Sequence, residues 1–236
     1  YFENDIKQAL QYTKQGINAF VPNGERIHCR HYLLLNKAVY LEVMNENEDA
    51  LEAIEVLHRE LRNDLHSRDS CSEILFPTKL EIVIQMYTMY AIVLVKLKMF
   101  KKALQYASKG VEIARINRSY DLLFTLRTTI GSIHLIKGDW EQAEKCYLMA
   151  LSLRNIVKKK SLLLLAYTEL GILYSQRQKW DQAHRAFDQA LKIGQSMHYP
   201  LEYVDALVAK AYAYEKQTKY SLAIPLLKTA ENLARK

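Results

Sequence analysis

Two stretches decide the fold. Gly131-Ser-Ile-His-Leu-Ile-Lys-Gly-Asp-Trp140-Glu-Gln-Ala143 and Gly171-Ile-Leu-Tyr-Ser-Gln-Arg-Gln-Lys-Trp180-Asp-Gln-Ala183 lie 40 residues apart and share small, aromatic and small residues in the same places. The offset runs on in both directions. Small residues recur at Ala91, Gly131, Gly171 and Ala211, at Ala103, Ala143, Ala183 and Ala223, and at Gly110, Ala150, Ala190 and Ala230. An aromatic series runs Phe100, Trp140, Trp180 and Tyr220. Coincident series at one period are the mark of a repeat architecture.

The residue types follow from helix packing. Antiparallel helices approach closely only where side chains are small. The first small series therefore belongs to the first helix of each pair, and the other two to the second. Four residues after the second-helix alanines stand Ala107, Tyr147, Phe187 and Leu227, on the same helical stripe, which is expected to face the core. The aromatic residue opening each second helix closes the pair. Asp139 and Asp181 flank two of these starts, where a carboxylate suits the helix N-terminus. Lys210 stands where Tyr90, Ile130 and Leu170 are apolar, so the last pair is less typical.

Upstream the period loosens. Ala38 and Ala50, with Ile54 and Leu57, make an earlier pair, and about thirteen extra residues fall in the Ser- and Asp-containing loop from Leu65 to Pro77. The stretch from Ile6 to Phe20 reads as a lone second helix, followed by a turn at Val21-Pro-Asn-Gly24. The expectation is one all-α domain over residues 1–236. It comprises a lone helix over 2–20 and helix pairs over about 27–64, 78–116, 119–156, 159–197 and 201–235. The chain enters a helical pattern directly and has no initiator Met, so it reads as a fragment of a longer protein.

Composition narrows the function classes. The chain has 236 residues, half of them hydrophobic, enough to bury a sizeable core, and only four Pro and seven Gly. Met86 to Leu97 is the longest apolar run and is too short for a membrane span. Three scattered cysteines, Cys29, Cys71 and Cys146, form no CxxC and suit reduced thiols in a cytosol. The net charge of +7 comes largely from Lys96, Lys98, Lys101 and Lys102 and from Lys158, Lys159 and Lys160, placed between helices as solvated turns. No aromatic interleaving of the kind that stacks bases accompanies them. No phosphate-binding Gly loop or nucleophile motif occurs. His28, Cys29 and His31 are a loose set without a second cluster, weak evidence for a metal. His134, in the slot of Tyr174 and Tyr214, reads as a packing residue, and Glu46 with Glu48 as a solvated face. The expectation is a binding domain and not an enzyme, with no cofactor and no metal.

The pattern of small, aromatic, small, large and small residues resembles the tetratricopeptide repeat (TPR) family. The best copy is Gly171 to Tyr174 followed by Ala183, Phe187 and Ala190. This implies a right-handed superhelical solenoid of antiparallel helix pairs, here with a 40-residue period in place of the usual 34. In a solenoid the first helices line the inner face. By repeat position, the residues opposite the small-residue seam are Tyr32, Leu35, Asn36 and Val39, then Gln85, Thr88 and Ile92, then Thr125, Thr128 and Ser132, then Thr168, Ile172 and Ser175, and last Asp205 and Tyr212. Hydroxyl, amide and apolar groups with few charges suit an extended peptide, whose backbone needs partners and whose side chains need burial.

Among such proteins, long-helix repeats and the segment Gly24-Glu-Arg-Ile-His-Cys-Arg-His-Tyr-Leu-Leu-Leu-Asn36-Lys are similar to the bacterial cytoplasmic receptors for secreted signalling peptides. These are the Rap, neutral-protease-regulator, PlcR and PrgX superfamily, and the neutral-protease-regulator branch resembles the chain most. The resemblance implies a cytoplasmic quorum-sensing regulator, of the kind that governs transcription and sporulation, which binds a short re-imported peptide. Its partners would include DNA, contacted through an N-terminal helix-turn-helix absent from this sequence, and in some members a phosphorelay response regulator. A homo-oligomer is expected. Asn36 would fix the peptide backbone, and Arg30 and Arg127 its acidic groups. The alternative is a TPR scaffold docking a folded protein without a small peptide ligand.

Overall fold

The computed structural model describes residues 2–20, 27–66, 77–197 and 201–235. Eleven helices, and no strand, occur among them: α1 (Phe2–Ala19), α2 (Ile27–Val43), α3 (Asn47–His66), α4 (Pro77–Lys96), α5 (Phe100–Ile116), α6 (Tyr120–Ile136), α7 (Trp140–Leu151), α8 (Lys160–Gln176), α9 (Trp180–Gln195), α10 (Leu201–Lys216) and α11 (Tyr220–Ala234). The turn at Val21 to Gly24, residues 67–76 of the long loop and Cys71 lie outside the described residues. Contacts divide the chain into two compact units, Tyr1–Leu122 and Leu123–Lys236.

In the first unit α1 packs on α2, α2 on α3 and α4, and α4 on α5. Ala91 and Ala107, at the repeat positions of Gly131 and Tyr147, are both fully buried. Beside them the Tyr90 and Tyr106 rings stack at 4.2 Å and 8°. The unit's first three helices are tied by one side chain. Arg30 on α2 donates to both oxygens of Glu60 on α3, at 3.0 to 3.2 Å, and to the Ile17 carbonyl of α1 at 3.0 Å.

In the second unit α8 pairs with α9 and α10 with α11, while α8 packs on α10 and α9 on α10. The small-residue seam is as the period implies. Gly131, Gly171 and Ala211, Ala143, Ala183 and Ala223, and Ala150, Ala190 and Ala230 are all buried. The glycines have a steric purpose. A Cβ on Gly171 would lie 2.6 Å from the Phe187 ring, and one on Gly131 would lie 2.7 Å from the Tyr147 ring. Each ring is fully buried on the backbone of the facing helix. The stripe breaks at its fourth member, because Leu227 is 47% exposed. Its predecessor Phe187 sits in a core with Ala213 of the following pair, and among the described residues Leu227 has no such cover.

The turn inside each pair is also periodic. Lys98, Gly138, Gln178 and Thr218 all have φ between 57° and 79°, and Asn45 occupies the same place in the earlier pair with φ 61°. The next residue's N–H reaches back to the first helix: Glu46 to Leu41, Met99 to Leu94, Asp139 to His134, Lys179 to Tyr174 and Lys219 to Tyr214, all within 2.7 to 2.9 Å. This is a left-handed cap of the Schellman kind, satisfying a carbonyl the helix leaves open. The expected carboxylate cap is not what the structure holds. Asp139 makes no capping bond; its carboxylate takes Lys137 at 2.7 Å and His134 at 3.3 Å, and both draw its pKa down. Asp181 lies in the first turn of α9. The pair expected to reach residue 156 also stops early, because α7 ends at Leu151. Beyond it Leu153 and Arg154 donate to carbonyls three residues back, and such bonds tighten and close a helix end.

Lys210 is accommodated by its length. Its stem fills the apolar slot, and its ammonium reaches Asp188 and lies 5.8 Å from the Tyr214 ring centre.

Candidate peptide-binding cleft

The open concavity of the second unit lies where α8, α9 and α10 meet. It is a cleft of about 840 Å³, large enough for a few side chains of a ligand. Ile172, Val208 and Ala209 make an apolar floor over the Phe187 ring, and Trp180 and Tyr212 stand at its sides. Helical spacing explains the gathering. Asp205, Val208, Ala209 and Tyr212 recur at three- and four-residue steps on α10, so they share one face, while Ile172 and Ser175 share the facing side of α8. Polar groups ring the floor: Gln176, Gln178, Asp205 and Lys216. Lys216 hangs 5.0 Å over the Tyr212 ring, and its hydrogen bond to Tyr212 raises its pKa. Partial burial and the neighbouring Glu202 raise the Asp205 carboxyl, which has no cation partner among the described residues.

One repeat upstream, the equivalent step between α6 and α8 is polar. Tyr147 Oη lies 3.0 Å from Glu169 Oε2 and 3.1 Å from Ser132 Oγ. Ser132 lies 3.4 Å from the same carboxylate oxygen and donates to the Thr128 carbonyl at 3.1 Å. Burial pushes the Glu169 pKa up, against the pull of the two hydroxyls. The folded chain thus holds this proton more tightly than the unfolded chain. The resulting stability is full at acid pH and is lost as pH rises from the ordinary glutamate value through the folded one. Glu169→Gln removes the charge and keeps the shape. Its melting temperature relative to wild type should therefore rise as pH climbs above the ordinary glutamate range; a difference that does not move with pH would mean the carboxyl is not held this way.

The twelve expected site residues divide between the units. In the first, Asn36 is exposed and Tyr32 is half-buried, its hydroxyl pKa raised by burial and by Glu81. Arg30 is committed to Glu60 and Ile17 and offers little to an acidic ligand. Gln85 donates to Glu81 at 3.0 Å. In the second, Ile172, Asp205 and Tyr212 come together in the cleft, and Ser132 belongs to the Glu169 cluster. Arg127 donates to the Met149 carbonyl at 2.9 Å, on the side of α7. The threonine column is internal. Thr88 and Thr168 donate to carbonyls one turn back at 3.0 Å, and Thr128 to Thr125 at 2.7 Å. Thr128 and Thr168 are buried, as is Leu35. A β-branched hydroxyl on a crowded helix face bonds its own backbone, so these three threonines pack the first helices and do not present free donors. Glu169, Val208 and Lys216 carry no signal in the sequence, and Trp180 reads there only as the aromatic residue that closes a pair.

Among the described residues no group of three or more His, Cys, Asp or Glu is placed to hold a metal ion, and no helix is long and apolar enough to cross a membrane. Cys29 and Cys146 are free thiols, and burial raises that of Cys146.

Residues 121–196 match the family model for the tetratricopeptide repeat. By structure the chain is similar to BtubC (BKLC) from P. vanneervenii at 14% identity, covering 99% of this chain and 89% of that one with a TM-score of 0.69. It is similar to a Rap protein complexed with competence and sporulation factor at 14% identity, over 99% and 72% of the two chains, TM-score 0.69. It is also similar to aspartyl phosphate phosphatase F from Bacillus subtilis at 12% identity, over 99% and 68%, TM-score 0.69. These likenesses show the fold, an all-α TPR-type array that Rap proteins share. By sequence, no curated protein matches the chain.

Proposed function

We propose that this chain is the peptide-binding part of a bacterial quorum-sensing transcription regulator, and that it takes a short secreted signalling peptide in the cytoplasm. The observation that carries the reading is the α8–α10 cleft, an apolar floor ringed by exposed amides with an unpaired carboxyl at its edge. Such a site buries a ligand side chain, offers partners to a peptide backbone and favours a positively charged residue nearby. A solved Rap protein of the same fold is complexed with competence and sporulation factor, which supports a peptide as the ligand class. In a regulator of this kind a separate helix-turn-helix contacts DNA, a response regulator can be a further partner, and the receptor works as a homo-oligomer. Asn36 remains the candidate for pairing with peptide backbone, having both a donor and an acceptor on an exposed face.

A pool of short synthetic peptides screened by thermal shift tests the reading. A binder at a hundred times its Kd adds about 2.7 kcal/mol to stability. Val208→Asp should weaken the best binder about tenfold or more, by placing a charge on the apolar floor. For a peptide held on the first unit's own face, Asn36→Ala should cost about tenfold. No hit in the pool would leave the scaffold reading. That reading draws on the outer side of α7, where exposed Leu148 and Met149 lie in a shallow depression with Lys145 and Lys179 and would suit a folded partner.

A further inference from the structure

The 40-residue period applies to the cleft as well as to the core. The α8–α10 positions Gln176, Trp180, Asp205, Ala209 and Ile172 have counterparts one repeat earlier in Ile136, Trp140, Leu165, Glu169 and Ser132. Ile136, Trp140 and Leu165 are all exposed, at 61%, 42% and 40%. The α6–α8 step therefore presents apolar Ile136 and Leu165 where the α8–α10 step has Gln176 and Asp205, keeps the Trp, and lies over a floor that holds the Glu169 carboxyl. Two neighbouring steps of one unit thus each offer apolar contact, at the floor of the α8–α10 step and at the entrance of the α6–α8 step, with the Glu169 and Asp205 carboxyls beside them. Neither carboxyl has an ion-pair partner among the described residues.

The distance between seats follows from the helices that form them. α8 packs directly on α10, and Ser132 and Glu169 bring α6 against α8. Packed helix axes stand about 8–10 Å apart, and successive seats share that spacing. An extended chain of the polyproline-II form rises about 3.1 Å per residue with about three residues per turn, so side chains three residues apart face the same way and span about one step. An α-helix rises about 1.5 Å per residue and would need six or seven. The rim favours the extended form. Gln176 and Gln178 are exposed, and their side-chain amides are engaged by no hydrogen bond among the described residues. A helix satisfies its own backbone and has no use for such groups, whereas a polyproline-II chain makes no internal hydrogen bond and leaves its N–H and C=O groups in need of partners.

Resting on the peptide-receptor reading, we propose that the occupant is an extended peptide with two apolar side chains three residues apart, one seated in each step, and a positively charged residue between or beside them facing Glu169 and Asp205.

Synthetic nonapeptides of Ser, Gly and one Lys, carrying a single Leu or two Leu residues two, three, four or seven apart, test this by fluorescence polarisation with the full chain. The three-apart peptide should bind about ten- to a hundredfold more tightly than the single-Leu peptide, the worth of one buried leucine. Leu165→Asp and Val208→Asp should each reduce it to the single-Leu level. Both sites are exposed, so the variants fold, which circular dichroism checks. Binding that depends on Val208 but is indifferent to Leu spacing would overturn the two-seat register and leave the receptor reading standing. A preference for seven would make the occupant a helix and overturn the proposal. No binding by any of the peptides would remove both.

Discussion

Phe187→Ala is expected to cost about 3–5 kcal/mol in a denaturant melt. The ring is fully buried in the core shared by α8, α9 and α10 and forms the underside of the cleft. Its removal leaves a cavity facing Gly171, which has no side chain to fill it. The complementary change, Gly171→Ala, should cost about 1–3 kcal/mol by overfilling the same contact. Because the added methyl would lie 2.6 Å from the ring, the two sites are coupled. With the ring gone, the methyl of Gly171→Ala enters vacant space, and the double variant should be more stable than the sum of the single effects. Additive losses would show that the helices are not held apart by this contact.

Arg30→Met is expected to cost about 1.5–3 kcal/mol, the range for hydrogen bonds to charged groups, and to leave peptide affinity unchanged while the chain is folded. Four hydrogen bonds converge on the guanidinium from two helices. The pair is partly buried, with each side chain 27% exposed, so both the pairing and the fork geometry count. Methionine keeps the apolar stem and removes the fork. Lost peptide binding at unchanged stability would return Arg30 to the ligand site.

The core was legible because it repeats. A small residue that lets two backbones touch must recur wherever the helix pair recurs, and the Gly131, Gly171 and Ala211 series declares itself without any structure. The cleft was legible only in part. Ile172, Asp205 and Tyr212 follow from helix position. Glu169 does not, since its counterparts are Thr129 and Ala209, and its environment depends on a tyrosine hydroxyl arriving from α7. Periodicity finds what neighbouring repeats have in common, while a binding site is made where they differ. The threonines misled for a related reason: a column at constant spacing is as consistent with inward packing as with a ligand face, and the back-bonding that decides it is a matter of side-chain torsion. Arg30 was ambiguous because its three-helix tie includes the lone α1, which has no partner in the repeat to compare.

The left-handed turn at Asn45, Lys98, Gly138, Gln178 and Thr218 bears on how such a chain can change length. Each pair is closed by one strained residue and one backbone bond of fixed reach, in a connection of three residues. An insertion of even one residue there would move the bond off its carbonyl and rotate the second helix by about 100°, turning the alanine seam away from its partner. Lengthening is tolerable where a connection lacks this joint, as the stretch over 67–76 illustrates in the sequence, but not inside the pairs, nor between α5 and α6, where Arg118 has φ 52° and the Ser119 N–H reaches back to Ala114 in the same way. A lineage built on this joint gains or loses whole 40-residue cassettes, and a recombination boundary placed before α8 or α10 transfers a hairpin with its hinge already set. The joint itself is permissive in chemistry, accepting Lys, Gly, Gln, Thr and Asn, so it can drift in sequence while the spacing it enforces stays constant.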